Sequence, residues 1–248
     1  MRDLAPPLRA VRAVIFDTDG VITDSARLHA TAWKATFDAY LREHPPRLPA
    51  HWRPFDISTD YPLYVDGKSR REGTTAFLES RGIKPISETV EALAAAKDRR
   101  YTERLRSGNP VPAYPGTVDL LHALLEADVL VAAVSASRHA RELLVEAHVM
   151  SLFDTVVDGS EADRLGLRGK PAPDLFLEAA HRLRTVPAQA VVVEDALAGV
   201  EAGERGGFGL VVGVDRTAGR NRTDELLSHG ADLVVADLCE LLMEGAAP

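Results

Sequence analysis

The stretch VIFDTDGVITDS, residues 14–25, decides how the rest of the chain is interpreted. Three apolar residues lead into Asp17 and Asp19, and Gly20 follows them. Burying one carboxylate is costly, and two neighbouring carboxylates repel each other. A pair of aspartates at the end of a buried strand therefore predicts a cation, a phosphoryl group or both as its partner.

Composition and charge narrow the possible partners. The chain has 248 residues, of which 46% are hydrophobic and 27% charged, as in an ordinary globular protein. A formal net charge of −8 argues against nucleic acid or an anionic membrane as the main partner. The single cysteine, Cys239, excludes an internal disulfide and suits a reducing compartment. With no secretory signal and no apolar run long enough to span a bilayer, we expect a cytoplasmic protein. We also expect it to be a monomer.

Short apolar runs rich in β-branched residues predict the fold class. Helical patterns lie between these runs, and this alternation predicts a doubly wound α/β fold with a parallel sheet covered on both faces. The predicted strands are 13–17, 129–135, 155–159, 190–195, 209–215 and 231–237.

One region breaks this alternation. Residues 26–109 contain no convincing buried strand, whereas Trp33, Phe37 and Leu41 recur at helical spacing. The stretch PVPAYPG, 110–116, then indicates a turn or linker. We therefore predict a core domain of residues 1–25 and 110–248, with an inserted helical cap domain of residues 26–109.

Polar residues follow several of the predicted strands. Ligands of open α/β sheets bind beyond the carboxyl ends of the strands, so these residues are expected to meet there. An oxygen-rich set without imidazole favours Mg²⁺ over zinc or copper. Such a set suits phosphoryl transfer, with a carboxylate as nucleophile and with a lysine and a hydroxyl holding the phosphoryl oxygens. The residues are Asp17, Asp19, Ser135, Lys170, Glu194 and Asp195.

Four motifs in order, DTDG, VSAS, GKP and VVED, resemble those of the haloacid dehalogenase superfamily. The resemblance implies that Asp17 is the phosphorylated nucleophile and Asp19 the general acid and base. It implies that Ser135 and Lys170 bind the phosphoryl group. The implied Mg²⁺ ligands are Asp17, the backbone carbonyl of Asp19 and Asp195, with Glu194 assisting.

Further strings narrow the resemblance. The second carboxylate, Asp19, is typical of phosphatases and mutases and is lacking in dehalogenases. HATAWK (29–34), GKPAPDLF (169–176) and EDALAGVEAG (194–203) resemble the β-phosphoglucomutase subfamily. There, the residue matching His29 contacts the general acid and couples cap closure to its position. Trp33 is equally consistent with a substrate contact and with packing between cap and core. The candidate substrate-binding residues are Ser25, His29, Trp33, Arg70, Lys97, Ala136 and Ser137.

The predicted cap both matches and departs from the subfamily pattern. Arg70, in the string GKSR, matches an arginine that grips the distal phosphate of a bisphosphorylated sugar, and Lys97 matches a lysine for sugar selection. Basic residues on a helical cap are otherwise mostly solvated. Ala96 and Asp98 replace an arginine and an asparagine, and His139 replaces another asparagine. Asp98 beside a phosphate is unfavourable unless it points away or pairs with one of the arginines that follow it, at positions 99 and 100.

The resemblance implies Mg²⁺-dependent phosphoryl transfer through an aspartyl phosphate on a small phosphorylated sugar. We expect interconversion of β-glucose 1-phosphate and glucose 6-phosphate through β-glucose 1,6-bisphosphate. The nearest alternative is a phosphatase on a small sugar phosphate, which differs only in letting water reach the aspartyl phosphate. A non-catalytic phospho-receiver or sensor domain is a distant alternative, because receivers carry their acceptor on a middle strand and lack an inserted cap.

Overall fold

A computed structural model of the chain describes residues 3–48, 51–107, 111–217 and 220–243. The chain divides into two compact units. The first comprises Met1–Asp24 and Val111–Pro248, and the second comprises Ser25–Pro110. That the second unit works as a cap domain stays a prediction.

The first unit is built on a six-stranded parallel sheet, which confirms the predicted α/β fold class. Its strand order is β4-β3-β2-β5-β6-β7, so the first strand in sequence that belongs to it lies at the centre. The strands are β2 (Ala13–Asp17), β3 (Leu130–Val134), β4 (Thr155–Val157), β5 (Ala190–Glu194), β6 (Leu210–Val214) and β7 (Leu233–Val235). A separate antiparallel pair, β1 (Asp3–Leu4) and β8 (Leu242–Met243), was not predicted from the sequence.

Two apolar layers cover the sheet. Along β2, Val14 and Phe16 belong to one buried cluster, whereas Ala13 and Ile15 belong to the other. This alternation is the period of a strand, and burial of both faces explains the continuous apolar runs. The helices of this unit are α4 (Pro115–Glu126), α5 (Ala140–Glu146), α6 (Gly159–Leu165), α7 (Asp174–Arg182), α8 (Leu197–Arg205) and α9 (Arg220–Ser228).

In the described residues of the second unit, all regular secondary structure is helical. It contains α1 (Ala26–Glu43), α2 (Arg70–Ser80), α3 (Ser87–Leu105) and a single π-helical turn, Tyr61–Val65. Its core is aromatic, with the rings of Phe37 and Phe77 stacked 3.9 Å apart. The fully buried Arg81 pairs with the carboxylate of Asp60, which ties the start of the π-helical turn to the end of α2. Across the described parts of both units, no helix is long and apolar enough to cross a membrane.

Candidate active site

The carboxyl end of the central strand carries the first pair of site residues. Asp17 ends β2 and is buried, and its Oδ2 accepts a hydrogen bond from the backbone N–H of Asp19 at 2.8 Å. Gly20 then turns the chain with a φ of +93°, a conformation that L side chains rarely adopt. A Cβ at this position would lie 2.0 Å from Oδ2 of Asp195. Glycine therefore allows the turn after β2 to approach the residues that follow β5.

The next strand supplies a hydroxyl to this turn. Ser135 directly follows β3, and its Oγ donates a hydrogen bond to Oδ2 of Asp19 at 2.9 Å. The same Oγ accepts one from the backbone N–H of Ser137 at 2.9 Å. Ser135 is fully buried and extends the sheet by donating its own N–H to the carbonyl of Val157. The VSAS string is therefore a tight turn whose first serine orients Asp19.

A buried lysine joins two of the strand ends. Nζ of Lys170 donates to Oδ1 of Asp17 and, at 2.5 Å, to Oε1 of Glu194. The other carboxylate oxygen of Glu194 accepts hydrogen bonds from the backbone N–H groups of Asp195 and Ala196, at 2.6 and 2.8 Å. Glu194 is fully buried, so these bonds set its position closely.

The charges of this cluster do not balance. Burial raises the pKa of Asp17 well above its ordinary value, because the lowering effect of Lys170 is opposed by the nearby Glu194 and Asp19. Burial lowers the pKa of Lys170, but the charges of Asp17 and Glu194 outweigh it and raise that pKa above its usual value. One lysine therefore faces two buried carboxylates, and negative charge is left over when both carboxylates are ionised.

This excess charge fits a divalent cation. Asp17, Glu194 and Asp195 each offer a carboxylate oxygen, and these oxygens all lie within 4.8 Å of one another. Three carboxylates without nitrogen or sulfur ligands are the donors that hard cations such as Mg²⁺ prefer. The donor set and the uncompensated charge agree with the predicted metal.

In the second unit, two of the predicted residues lie together. Nδ1 of His29 and Nζ of Lys97 are 2.6 Å apart, and both side chains are buried. The ring of Tyr101 lies 4.2 Å from that of His29 at an interplanar angle of 31°, and it lies under the Lys97 ammonium at 4.7 Å. Trp33 is 3% exposed and stacks on Phe37 in the aromatic core, so packing within its own unit accounts for this side chain.

The other two predicted residues of this unit have different surroundings. Arg70 is the first residue of α2, and its guanidinium forms an ion pair with Asp98 of α3. The sequence suggested only the arginines next to Asp98 as its partners, and the structure provides one from another helix. Ser25 is fully buried, and its carbonyl accepts the backbone N–H of His29 at 3.1 Å.

Two contributors to the site were missed at the level of sequence. Gly199, inside the EDALAGVEAG string, lies against Glu194, where a Cβ would be 1.6 Å from Oε1. Arg216, beyond the end of β6, donates to the carbonyl of Gly20 at 3.2 Å. Gly199 lies in the string 194–203, which carries part of the family resemblance, whereas the residues around Arg216 form no motif that points to a role for it.

Known proteins resemble this chain over nearly its whole length. A family model described as haloacid dehalogenase-like hydrolase matches residues 11–207. The β-phosphoglucomutase of Mycobacterium bovis is 43% identical over 241 residues, covering 94% of this chain and 92% of the relative. That of Bacillus subtilis is 33% identical, covering 94% of this chain and 93% of the relative. A solved β-phosphoglucomutase from Clostridium difficile matches with a TM-score of 0.74 and 26% identity over 93% of both chains. These matches confirm the resemblance in the motifs, and the chain belongs to the β-phosphoglucomutase family of haloacid dehalogenase-like hydrolases.

Proposed function

We propose that the protein is a Mg²⁺-dependent β-phosphoglucomutase, which interconverts β-glucose 1-phosphate and glucose 6-phosphate through β-glucose 1,6-bisphosphate. The observation that carries the proposal is the different environment of two carboxylates only two residues apart. Asp17 faces a buried lysine and the acidic cluster, whereas Asp19 faces the hydroxyl of Ser135. The named relatives at 43% and 33% identity are mutases, which favours this activity over the phosphatase and over a non-catalytic receiver.

Asp17 is the proposed nucleophile. A carboxylate oxygen of Asp17 attacks the phosphorus at C1 of β-glucose 1,6-bisphosphate, and the bond between that phosphorus and the C1 oxygen breaks, which leaves glucose 6-phosphate and a phosphorylated Asp17. The C6 hydroxyl of the next β-glucose 1-phosphate then takes this phosphoryl group, which regenerates Asp17 and the bisphosphate. Lys170, already hydrogen-bonded to Asp17, and Ser135 hold the phosphoryl oxygens as their charge is redistributed. When bound to Asp17, the Asp19 carbonyl, Asp195 and Glu194, Mg²⁺ supplies positive charge that offsets the repulsion between carboxylate and phosphate.

Asp19 is the proposed general acid and base. It gives a proton to the sugar oxygen that leaves phosphorus, and it later removes a proton from the hydroxyl that attacks the phosphorylated Asp17. In the structure, the single proton of the Ser135 hydroxyl is donated to Oδ2 of Asp19. A phosphoryl oxygen that accepts this proton instead would release the Asp19 carboxylate for proton transfer. A proton returns to Asp19 in each full cycle, so the interconversion needs no added acid or base.

The sugar phosphate is proposed to be recognised by residues of both parts of the sequence. Arg70 would bind the phosphate that is not transferred, since a guanidinium matches phosphate geometry. Lys97, oriented by His29, would donate to sugar hydroxyls. The full proposed substrate-binding set is Ser25, His29, Trp33, Arg70, Lys97, Ala136 and Ser137.

The test incubates the purified chain with β-glucose 1-phosphate, Mg²⁺ and a trace of β-glucose 1,6-bisphosphate. Glucose 6-phosphate is the expected product. Free glucose with inorganic phosphate would contradict the mutase activity and support the phosphatase activity. The absence of any product would contradict both activities. Asp17→Asn should abolish both turnover and phosphoenzyme, whereas Asp119→Asn, an aspartate on the helix α4, should leave them unchanged.

A further inference from the structure

We propose that Arg216 is a positioning residue, which holds the segment 19–24 that begins at Asp19 and leads out of the first unit. Arg216 lies two residues beyond the end of β6, and its side chain is 20% exposed. Its Nε donates to the carbonyl of Gly20 at 3.2 Å, and its guanidinium carbon lies 3.6 Å from the centroid of the Tyr114 ring. One planar group thus contacts the segment next to Asp19 and an aromatic ring at the same time.

Tyr114 carries this contact to the other end of the segment. Its hydroxyl donates to Oδ1 of Asp24 at 3.0 Å, and its backbone N–H donates to the carbonyl of Ile22 at 2.9 Å. Burial, followed by the hydrogen bond to Asp24, raises the pKa of Tyr114, so the phenol keeps its proton and remains a donor. Arg216 and Tyr114 therefore hold segment 19–24 near both of its ends.

The far side of the guanidinium is also anchored. Nη1 of Arg216 donates to Oδ2 of Asp237 at 2.8 Å. The other oxygen of that carboxylate, Oδ1, accepts a hydrogen bond from the backbone N–H of Cys239 at 2.9 Å. A Cβ on Gly116 would lie 1.8 Å from this oxygen, so only glycine leaves room for the carboxylate there. Asp237 is thus held by the short helix after β7, so Arg216 links segment 19–24 to that helix.

The catalytic consequence rests on the proposed function, because it concerns the orientation of Asp19. The carboxylate of Asp19 is held by Ser135, but its backbone continues into Gly20, whose carbonyl faces Arg216. Glycine has the widest backbone freedom of any residue, and a displacement of about 1 Å at a reacting group lowers rate by up to about 100-fold. Arg216 therefore contributes to turnover by limiting this freedom, without contacting the substrate.

Kinetics test the catalytic part. In Arg216→Ala, kcat should fall about 10- to 100-fold with little change in KM, since positioning and not substrate affinity is lost. Added guanidinium chloride should restore much of the lost kcat to this variant, because it refills the stacked site, whereas equal sodium chloride should not. Arg216→Lys should remain slow, because an ammonium keeps the charge but cannot both stack and donate in two directions. Arg164→Ala, an exposed arginine on α6, is the matched control and should behave as wild type.

Hydrogen exchange on the full chain tests the structural part without any activity. The amides of Ile22, Thr23 and Asp24 donate to backbone carbonyls within the first unit, so their protection reports on segment 19–24. In Arg216→Ala they should exchange faster, while the amides of β3 stay unchanged. If that variant does not fold, Tyr114→Phe and Arg216→Lys carry the same test.

The outcomes separate the two proposals. Absence of mutase activity in the wild type contradicts the proposed function, and exchange then still decides the role of Arg216. Unchanged exchange at 22–24 overturns the inference, as does a loss of kcat that Arg164→Ala shares. A loss of kcat that guanidinium cannot restore overturns the positioning role even when exchange is faster.

Discussion

Replacing Gly199 by alanine tests whether the position of Glu194 is set by the packing described above. Gly199 is the third residue of α8, and glycine inside a helix usually costs about 0.5–1 kcal/mol relative to alanine. Elsewhere the substitution would stabilise the protein by that amount. Here the new Cβ would lie 1.6 Å from Oε1 and 2.1 Å from Cδ of Glu194, so the carboxylate must move.

The cost of this movement follows from what holds the carboxylate. Oε1 binds Lys170 at 2.5 Å, and Oε2 accepts the N–H groups of Asp195 and Ala196. Hydrogen bonds to charged groups contribute about 1.5–3 kcal/mol each, and Glu194 is fully buried, so water cannot replace them. With the helix gain subtracted, we expect the free energy of unfolding to fall by about 0.5–2.5 kcal/mol if one bond is lost and by about 2–5.5 kcal/mol if two are lost.

Urea unfolding of Gly199→Ala and wild type measures this loss. Gly203→Ala on the same helix is the matched control, because its Cβ would meet methyl groups of Val211 and Val192 at 3.0 and 3.3 Å and no buried charge. Small shifts of those methyl groups should keep its change within about 1 kcal/mol. We also expect less phosphoenzyme from Gly199→Ala, since Lys170 loses a partner. If Gly199→Ala is as stable as wild type, the close packing against Glu194 is refuted.

Three further predictions concern charge. Because burial raises the pKa of Asp17, its protonated form stabilises the metal-free fold at low pH, and this contribution is lost as pH rises through the raised pKa. Mg²⁺ must displace that proton, so the Mg²⁺-induced rise in Tm should grow with pH. A rise in Tm that does not depend on pH would count against the raised pKa of Asp17. Asp98 competes with the substrate phosphate for Arg70, so Asp98→Asn should lower KM for β-glucose 1-phosphate with little change in kcat. A raised KM would contradict this competition. Asp60→Asn leaves Arg81 buried without its partner charge and should cost about 3–5 kcal/mol in urea unfolding, so an unchanged midpoint would refute it.

The core of the fold and of the site was predictable because its signals are local. Each strand of the parallel sheet is a short apolar run, and each differs from its predicted range by at most two residues at either end. Carboxyl ends of neighbouring parallel strands share one edge, so the sequence alone predicts that Asp17, Ser135 and Glu194 lie together. The pair β1 and β8 carried no such signal, because two residues are too few to show a strand period and some 240 positions separate them.

The contributions of Gly199 and Arg216 depend on partners that lie elsewhere in the sequence or across a turn. Arg216 contacts a carbonyl 196 positions away, and an arginine in a polar loop is ordinarily solvated. Its role follows from the strand order, which brings β6 next to β5 and within reach of the turn after β2. The apolar runs predict which segments form strands but leave their order in the sheet open, so this contact could not be predicted from them.

Asp98 illustrates the same limit and has the larger functional consequence. Residues one and two positions apart on a helix do not face each other, so the arginines that follow Asp98 are poorly placed as partners, and α2 supplies Arg70 instead. Both side chains are partly exposed, which keeps the pair weak enough to exchange. A phosphate arriving at Arg70 would therefore replace a carboxylate and not water, and its binding would be weakened by the cost of breaking that pair. A chain with asparagine at this position would bear no such cost, and for this reason the KM of Asp98→Asn, not its kcat, is the quantity expected to change.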